Sequence, residues 1–506
     1  MELKKEELKT GGINLKKILG YIKKSSSKKT ILLLILILII ISLYFIINFI
    51  IKKLNIPEFD FTSSKLYSIT KKSEEKIKQI NKKIQIKLVN FENYLYSADI
   101  SDTVNFINKY SQVNSNITIE KTKDDSVAEP TIIITSENNS KTISFNDIFS
   151  YNFSAQTYTY EYYDKTEEII TNAILEVANK NHSKVYFYIT KSIYTESYLT
   201  TIIDNANKTG NDVAYLDMTT TKKIPEDCTC LVIPQLVNDI SENEKNQIIN
   251  YINNGGNILL LQESPAILNL QIQNLEFSNF KYITDLYGFE IGSGAVMEQS
   301  DEKMINDTPG FISAIVNNEN SVNKNLDKNL RLYLIDSGKI NFKDEETLKK
   351  LNVTYEVLVS ASDSAFFRTD LSITDSTKTE SDENATNAIL ATMINKKIDD
   401  EKSSKLIVYA NSIFATDSPI YIKDPITEEY SIIKSAFLED NELIVTNSIN
   451  YLSENDNSVI IRKKYYDNIS TIKMIKDNTM FQALYIIPLL ILLIGFIVWR
   501  IRKNKK

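Results

Sequence analysis

The stretch Ser241–Leu261, SENEKNQIINYINNGGNILLL, carries the alternation that decides the fold. Ser241 with Glu244 three residues on is a capping box, a device that satisfies main-chain N–H groups left unpaired at a helix start. It opens a helix through QIINYINN, Gly255 and Gly256 stop that helix, and NILLLQ is a short apolar run of strand character.

Working outward, the same rhythm recurs. Upstream, Thr166 stands where it can cap TEEIITNAILEVANK, whose Ile170, Ala173, Ile174 and Val177 share one face. Strand VYFYIT, helix ESYLTTIIDNANK, a stop at Gly210, and strands DVAYLDM and CLVIP follow. Downstream, residues 297–400 are more polar: SVNKNLDKNL and DSTKTESDENATN read as loops, with strands at RLYLI and YEVLVSA. KLIVYANS, ELIVTNSINYLSEN and SVIIRKK are then expected to complete the sheet. Short apolar strands alternating with amphipathic helices predict a parallel sheet covered on both faces.

Nearer the N-terminus, FDFTSSKLYSIT (residues 59–70) ends in Thr70, placed to cap a short helix that carries Ile77, Ile80 and Ile84. Strand IQIKLV, a helix around residues 102–110, strand ITIEK, and a hairpin of TIIIT and KTISF about SENNS give the order β-α-β-β-β. That order has the look of a thioredoxin-like unit, and the Cys-x-x-Cys of redox members is missing.

Two apolar runs flank this body. Residues 31–51 hold no charge and at ~1.5 Å per residue just cover a ~30 Å hydrocarbon core. The run exceeds the ~7–15 residues of a signal-peptide core and Lys52-Lys53 follows it without a small-x-small cleavage site, so a membrane anchor is expected. Residues 481–501 form the second expected span, with Pro488, Gly495 and Trp499. Residues 1–30 carry nine lysines against three glutamates and 500–506 five cations, which predicts both ends in the cytoplasm and the body outside. Removing those +6 and +5 flanks from the chain's −7 leaves −18 on residues 31–499, a balance that argues against nucleic acid as a partner. Leu15–Lys24 has the pattern of a basic amphipathic helix on the inner leaflet.

No stretch announces an active site. His182 is the one histidine, in a loop, so the common zinc signatures have no second ligand. Cys228 and Cys230 enter a strand, as read on the same face, as two buried apolar thiols. The chain has no P-loop, its Gly338-Lys339 being followed by isoleucine, and no GxSxG elbow. Gly255-Gly256 runs from helix into strand, the wrong direction for a phosphate loop. The acidic pairs Glu74-Glu75, Glu167-Glu168 and Asp399-Asp400 read as solvated or helix-capping groups. No catalytic, cofactor-binding or metal-ligating residue is assigned, no cofactor is expected, and the ligand-binding residues stay open.

The succession of an anchor, FDFTSSKLYSIT, IQIKLV, EEIITNAILEV, IPEDCTCLVIP, SENEKNQIINYINNGGNILLL, KLIVYANSIFATD, NSINYLSEN and IIRKK before a last span with a basic tail resembles the GldG-like auxiliary proteins of ABC transporters, over nearly the whole chain. The resemblance implies a thioredoxin-like domain, a flavodoxin- or glutamine-amidotransferase-like α/β domain lacking that fold's nucleophile, and partnership with an ABC permease and its ATPase. Two departures stand out: TKSIYTES, which keeps only Glu196, replaces a Gly-His-Gly-Glu-like stretch, and Ala410-Asn411 replaces a Gly-Asp.

The expected organisation is therefore a cytoplasmic segment 1–30, a span 31–51, a thioredoxin-like domain 57–165, an α/β domain 166–465, a span 481–501 and a cytoplasmic tail 502–506. The expected function is a non-enzymatic membrane subunit whose body binds a substrate or partner protein. The alternatives are a structural cell-envelope protein and a tethered surface enzyme.

Overall fold

The capping box is present in the computed structural model: Glu244 N–H donates to Ser241 Oγ at 3.3 Å and Ser241 N–H to Glu244 Oε2 at 2.6 Å. The structure describes residues 64–466 apart from 95–97, 138, 180–182, 273–275 and 456–457, together with 35, 38–40, 42–46, 60, 62, 491 and 495. The segment Leu15–Lys24 and most of both apolar runs lie outside the described residues, and 35, 38–40, 42–46, 491 and 495 are helical. Among the described residues no helix is long and apolar enough to cross a membrane.

Residues Ser64–Tyr466 form one compact unit. Its first layer has α1 (Lys71–Lys78), β1 (Ile84–Val89), α2 (Ala98–Val113), β2 (Ile117–Thr122), β3 (Thr131–Ser136) and β4 (Asn139–Ser144), in the expected β-α-β-β-β order. The sheet order is β2-β1-β3-β4, with β1 and β2 parallel and the other pairs antiparallel. Thr70 caps α1 through its side chain, as its position predicted. A hairpin unforeseen in the sequence, β5 (Phe149–Ser154) and β6 (Thr159–Asp164), leads into α3 (Thr166–Ala178). Thr166 is the first residue of α3, and the side chain that receives its N–H is Asp164 at 2.5 Å. Expected to open the larger domain, α3 instead buries Ile170, Ala173, Ile174 and Val177 in the same core as Ile86 and Ile132 of the small sheet.

The second layer is a ten-stranded sheet. Five of its strands are parallel: β7 (Ser183–Tyr188), β8 (Asn211–Leu216), β9 (Cys228–Ile233), β10 (Asn257–Leu261) and, much later, Ser403–Tyr409, which pairs with β10. Taken in chain order these five lie 2-1-3-4-5, one of the doubly wound orders. Helices α4 (Thr200–Lys208) and Asn441–Leu452 cover one face and α5 (Glu242–Asn253) with α7 (Ser278–Leu286) the other, while α6 (Pro265–Gln271) follows β10. Alternate strand residues feed the two cores, Val232 and Leu259 on one side and Ile233 and Leu260 on the other.

The expectation of a wholly parallel sheet holds for this half only. Between the fourth and fifth parallel strands the chain adds β11 (Met304–Ile305), β12 (Thr308–Val316), β13 (Leu332–Ile335), β14 (Val353–Ser360) and β15 (Ile389–Lys397), all paired antiparallel, before β16 (Ser403–Tyr409). Strand β15 was hidden because it joins β16 through a short polar turn, where Asp399 Oδ1 accepts from the N–H groups of Glu401 and Lys402. The polar stretch before it is organised by Arg368, which is buried and holds Asp382 at 3.1 and 2.8 Å and the carbonyls of Asp375 and Thr377.

ELIVTNSINYLSEN supplies α8 (Asn441–Leu452) and SVIIRKK does not join the large sheet. Asn172 of α3 holds Val459 instead, donating to its carbonyl at 2.9 Å and accepting from its N–H at 2.7 Å, a side-chain imitation of strand pairing. The chain then ends its compact body in β17 (Lys464–Tyr465), paired antiparallel with β6.

Candidate functional site

In doubly wound sheets ligands bind outside the carboxyl ends of the strands, where the strand order reverses. Here that point lies between β7 and β9, and the protein fills it with its own groups. Ile193 N–H donates to Gln235 O at 2.9 Å and Val237 N–H to Lys191 O at 2.8 Å, so the loops after the two strands pair with each other. Lys191 Nζ donates to Glu244 Oε2 at 2.7 Å and to Asp239 O at 2.8 Å, and Tyr188 donates to Glu244 Oε1 at 2.7 Å. Burial alone would push the Glu244 carboxyl up; Lys191 and the Ser241 cap outweigh it and hold the group down at about 2. The N-terminus of α5 is thus closed by a carboxylate of its own helix.

One strand further along the same edge stands a cluster that the sequence did not reveal. Glu263 follows β10, Ser412 follows β16, Tyr194 follows β7 and Gln235 follows β9. Glu263 Oε1 accepts from Ser412 N–H at 2.7 Å, from Ser412 Oγ at 2.5 Å and from Ile413 N–H at 3.2 Å. Glu263 N–H donates to Gln235 Oε1 at 2.6 Å, and with the Ser412 hydroxyl proton directed at Glu263, Tyr194 Oη donates to Ser412 Oγ at 2.8 Å. Glu263 Oε2 is buried and has no hydrogen-bond partner. Burial pushes this carboxyl up to about 7 against the opposing pull of the Ser412 hydrogen bonds. The sequence signal existed: a glutamate at the carboxyl end of a central parallel strand, NILLLQE, has few ways to reach water.

Two depressions flank the edge. One, of about 460 Å³, lies between β10, α6 and α7 and has Glu263, Leu268, Phe280 and Phe289 in its wall. The other, about 730 Å³ and open, is lined by Ser192, Tyr194, Glu196, Tyr215 and Asp217 after β7 and β8.

The remaining sequence candidates scatter. His182 lies outside the described residues. Cys228 and Cys230 are both free and buried, yet the register shifts between the pairs Lys184–Cys228 and Val185–Cys230. The extra residue turns the two thiols toward different cores, so they do not share a face. Gly255 has φ +88°, and a Cβ at Gly256 would collide with the Tyr251 ring, which fixes this pair as a helix stop. Ala410 O accepts from Gly338 N–H at 2.8 Å, and Asn411 brackets Ile335 O and Phe414 N–H, a structural role for both halves of the replaced Gly-Asp. Glu74 pairs with Lys78 at an exposed helix start.

The pair Glu167-Glu168 stands in the first turn of α3, as a helix-capping role predicts, but Glu167 is buried rather than solvated. Glu167 is 1% exposed, accepts from Thr70 N–H at 2.8 Å, and lies 2.6 Å from Lys464 Nζ. Glu168 is pushed up by burial, partly offset by Lys165. Beside them Glu442 accepts from Tyr163 and Asn205 and stands 3.8 and 3.6 Å from Lys165 and Lys463. Burial raises its pKa, the two lysines overcome that, and it settles at about 2. The space among these charges is about 20 Å³, room for one water, and the network reads as an ionic joint. Among the described residues no group of three or more His, Cys, Asp or Glu could hold a metal ion.

No protein-family model and no curated protein matches the chain. Among solved structures it is similar to the mmIFT52 N-terminal domain (13% identity, 54% of this chain and 99% of that one, TM-score 0.37). It is also similar to a ThuA-like protein from Parabacteroides merdae (12%, 56% and 98%, TM-score 0.31). A third is a GMP synthase subunit from Thermoplasma acidophilum (11%, 55% and 97%, TM-score 0.26). These likenesses concern the fold alone.

Proposed function

We propose that this chain is a non-enzymatic, membrane-anchored auxiliary subunit of an ABC transport system, whose outer body binds a substrate or a partner protein. In this reading the four-stranded sheet is a thioredoxin-like unit, the parallel half a flavodoxin- or glutamine-amidotransferase-like domain, and residues 31–51 and 481–501 the anchors. The observation that supports it is the closure of the body on itself: Ser64 Oγ donates to Tyr465 O at 3.0 Å, across 401 residues. The first and last described residues of the body are thus side by side, which agrees with a body held from one place. The sealed switch point and the absence of a P-loop in the sequence agree with a protein that draws on ATP only through a partner.

The test is purification from native membranes in mild detergent through a tag after Lys506, with ATPase assay of the eluate. Co-purification of a permease and a nucleotide-binding subunit is the expected result. Recovery of this chain alone across several detergents overturns the proposal in favour of a structural envelope protein or a tethered surface enzyme.

A further inference from the structure

The three-stranded sheet of β5, β6 and β17 presents an aromatic face. Register sets Tyr151 beside Tyr162, the Tyr466 ring stacks on Tyr162 at a centroid distance of 5.5 Å, and Tyr160 stands edge-on to Phe153 at 5.3 Å. Tyr151, Tyr160 and Tyr162 are 57, 52 and 44% exposed. Tyr160 Oη donates to Ile432 O at 3.2 Å and so joins this face to a second hairpin, Pro419–Lys423 with Tyr430–Lys434. There Ile420, Ile422 and Ile433 are buried in one cluster with Phe153, while Tyr421, Tyr430 and Ile432, at alternate positions, are 61, 65 and 59% exposed. More than half of the large apolar side chains that Ser64–Tyr466 exposes among the described residues lie on these two hairpins. A surface of that kind marks a contact with a protein or a membrane.

We propose that this face lies along the interfacial zone of a lipid bilayer, with its tyrosine rings among the glycerol and headgroup atoms; the proposal rests on the reading of residues 31–51 and 481–501 as anchors. Two observations favour lipid over a protein partner. The sheet holds both ends of the body, since Ser64 Oγ donates to Tyr465 O. Only residues 52–63 and 467–480 separate the body in sequence from the two apolar runs, at most about 50 Å of extended chain on either side. The face also has no charged side chain to spare among the described residues. Asp164 already accepts from Thr166 N–H and the Tyr466 hydroxyl, Lys434 pairs with Asp417 at 2.9 Å, and Lys423 lies 3.8 Å from Glu428. What remains is ring and aliphatic surface with hydroxyl tips, a make-up that suits the boundary between acyl chains and water. The turn of the second hairpin carries Asp424, Glu428 and Glu429. It stays in water, so the contact is shallow and owes nothing to anionic lipid.

The test places the full-length chain in phosphatidylcholine liposomes and attaches an NBD fluorophore to one introduced cysteine at a time, the two native thiols being buried. Tyr151→Cys and Ile432→Cys probe the face, and Ser140→Cys and Tyr282→Cys, exposed elsewhere on the body, are the controls. Phosphatidylcholine bearing a nitroxide near the glycerol end of its acyl chain should quench the face probes about twofold or more beyond the controls, and neither anionic lipid nor salt should change that contrast. Quenching at the face no stronger than at the controls overturns the proposal in favour of a protein partner. A contrast that appears only with anionic lipid overturns it in favour of contact driven by charge. Flotation reports on the anchors separately: a chain that does not float with the liposomes fails that reading, and the proposal falls with it. Should the label unfold one face variant, the other decides.

Discussion

Ser64 and Tyr465, 401 residues apart, are joined by a hydrogen bond of 3.0 Å, and next to it Lys464 Nζ donates to Ser68 O at 2.6 Å. The segment after the first apolar run is therefore a clasp. Lys109 donates to Tyr67 O and Tyr67 to Asp102, so the clasp also grips α2. Lys464 reaches Glu167 at 2.6 Å with both side chains nearly inaccessible, 3% and 1%.

Breaking that pair on one side leaves a buried charge. Lys464→Met should destabilise the body by about 3–5 kcal/mol, and the double variant with Glu167→Leu should recover much of the loss. Denaturant unfolding of the four chains of the cycle measures it. Additive losses would show that the two residues do not act as a pair.

Glu263 gives a pH dependence with a definite sign. Its folded pKa, about 7, lies above the unfolded value. The folded state thus holds the proton more tightly, and the stability this contributes is complete below about pH 4 and lost as pH rises toward about 7. Relative to Glu263→Gln, the wild-type chain should lose melting temperature between about pH 5 and pH 8. A difference that is flat over this range contradicts the buried-carboxyl reading.

The two cysteines should behave as separated, inert thiols. Burial pushes Cys228 up to about 12 and raises Cys230 well above the usual thiol range, and the register shift points them at different cores. Iodoacetamide should label neither in the native chain and both after unfolding, and diamide should form no internal disulfide, as read by mass spectrometry.

Arg368 should govern the polar loop that follows it. With four bonds to Asp375, Thr377 and Asp382, its replacement by Lys keeps the charge and loses the planar fork. Trypsin should then cut after the exposed Lys378 at least several-fold faster than in the wild-type chain, on a time course resolved by mass spectrometry.

Topology is testable because the native thiols are buried. Cysteines placed at Ser25 and Asn504 should resist an impermeant maleimide in intact cells, and one at the exposed Ser140 should react. Labelling of either tail alone would overturn the expected topology.

Local chemistry was legible wherever it is decided locally. The Ser241–Glu244 box, the Thr70 cap, the Gly255 stop and the strands of the parallel half follow from periodicity and capping, which need only neighbours in sequence. What lay beyond reach depends on partners far along the chain. Asn172 pairing with Val459, Lys464 with Glu167, and Ser412 with Glu263 span between 149 and 297 residues, and no local pattern states that a glutamate in a first helical turn will be sealed from water. The single-residue shift at Cys228 likewise belongs to strand pairing. The sequence by itself determined the alternation of elements and the apolar flanks, because these are properties of short windows. Only the tertiary structure decided which carboxylates are buried, which face each thiol takes and where the one unpartnered oxygen of the Glu263 cluster lies, because desolvation and register are set by whatever packs alongside.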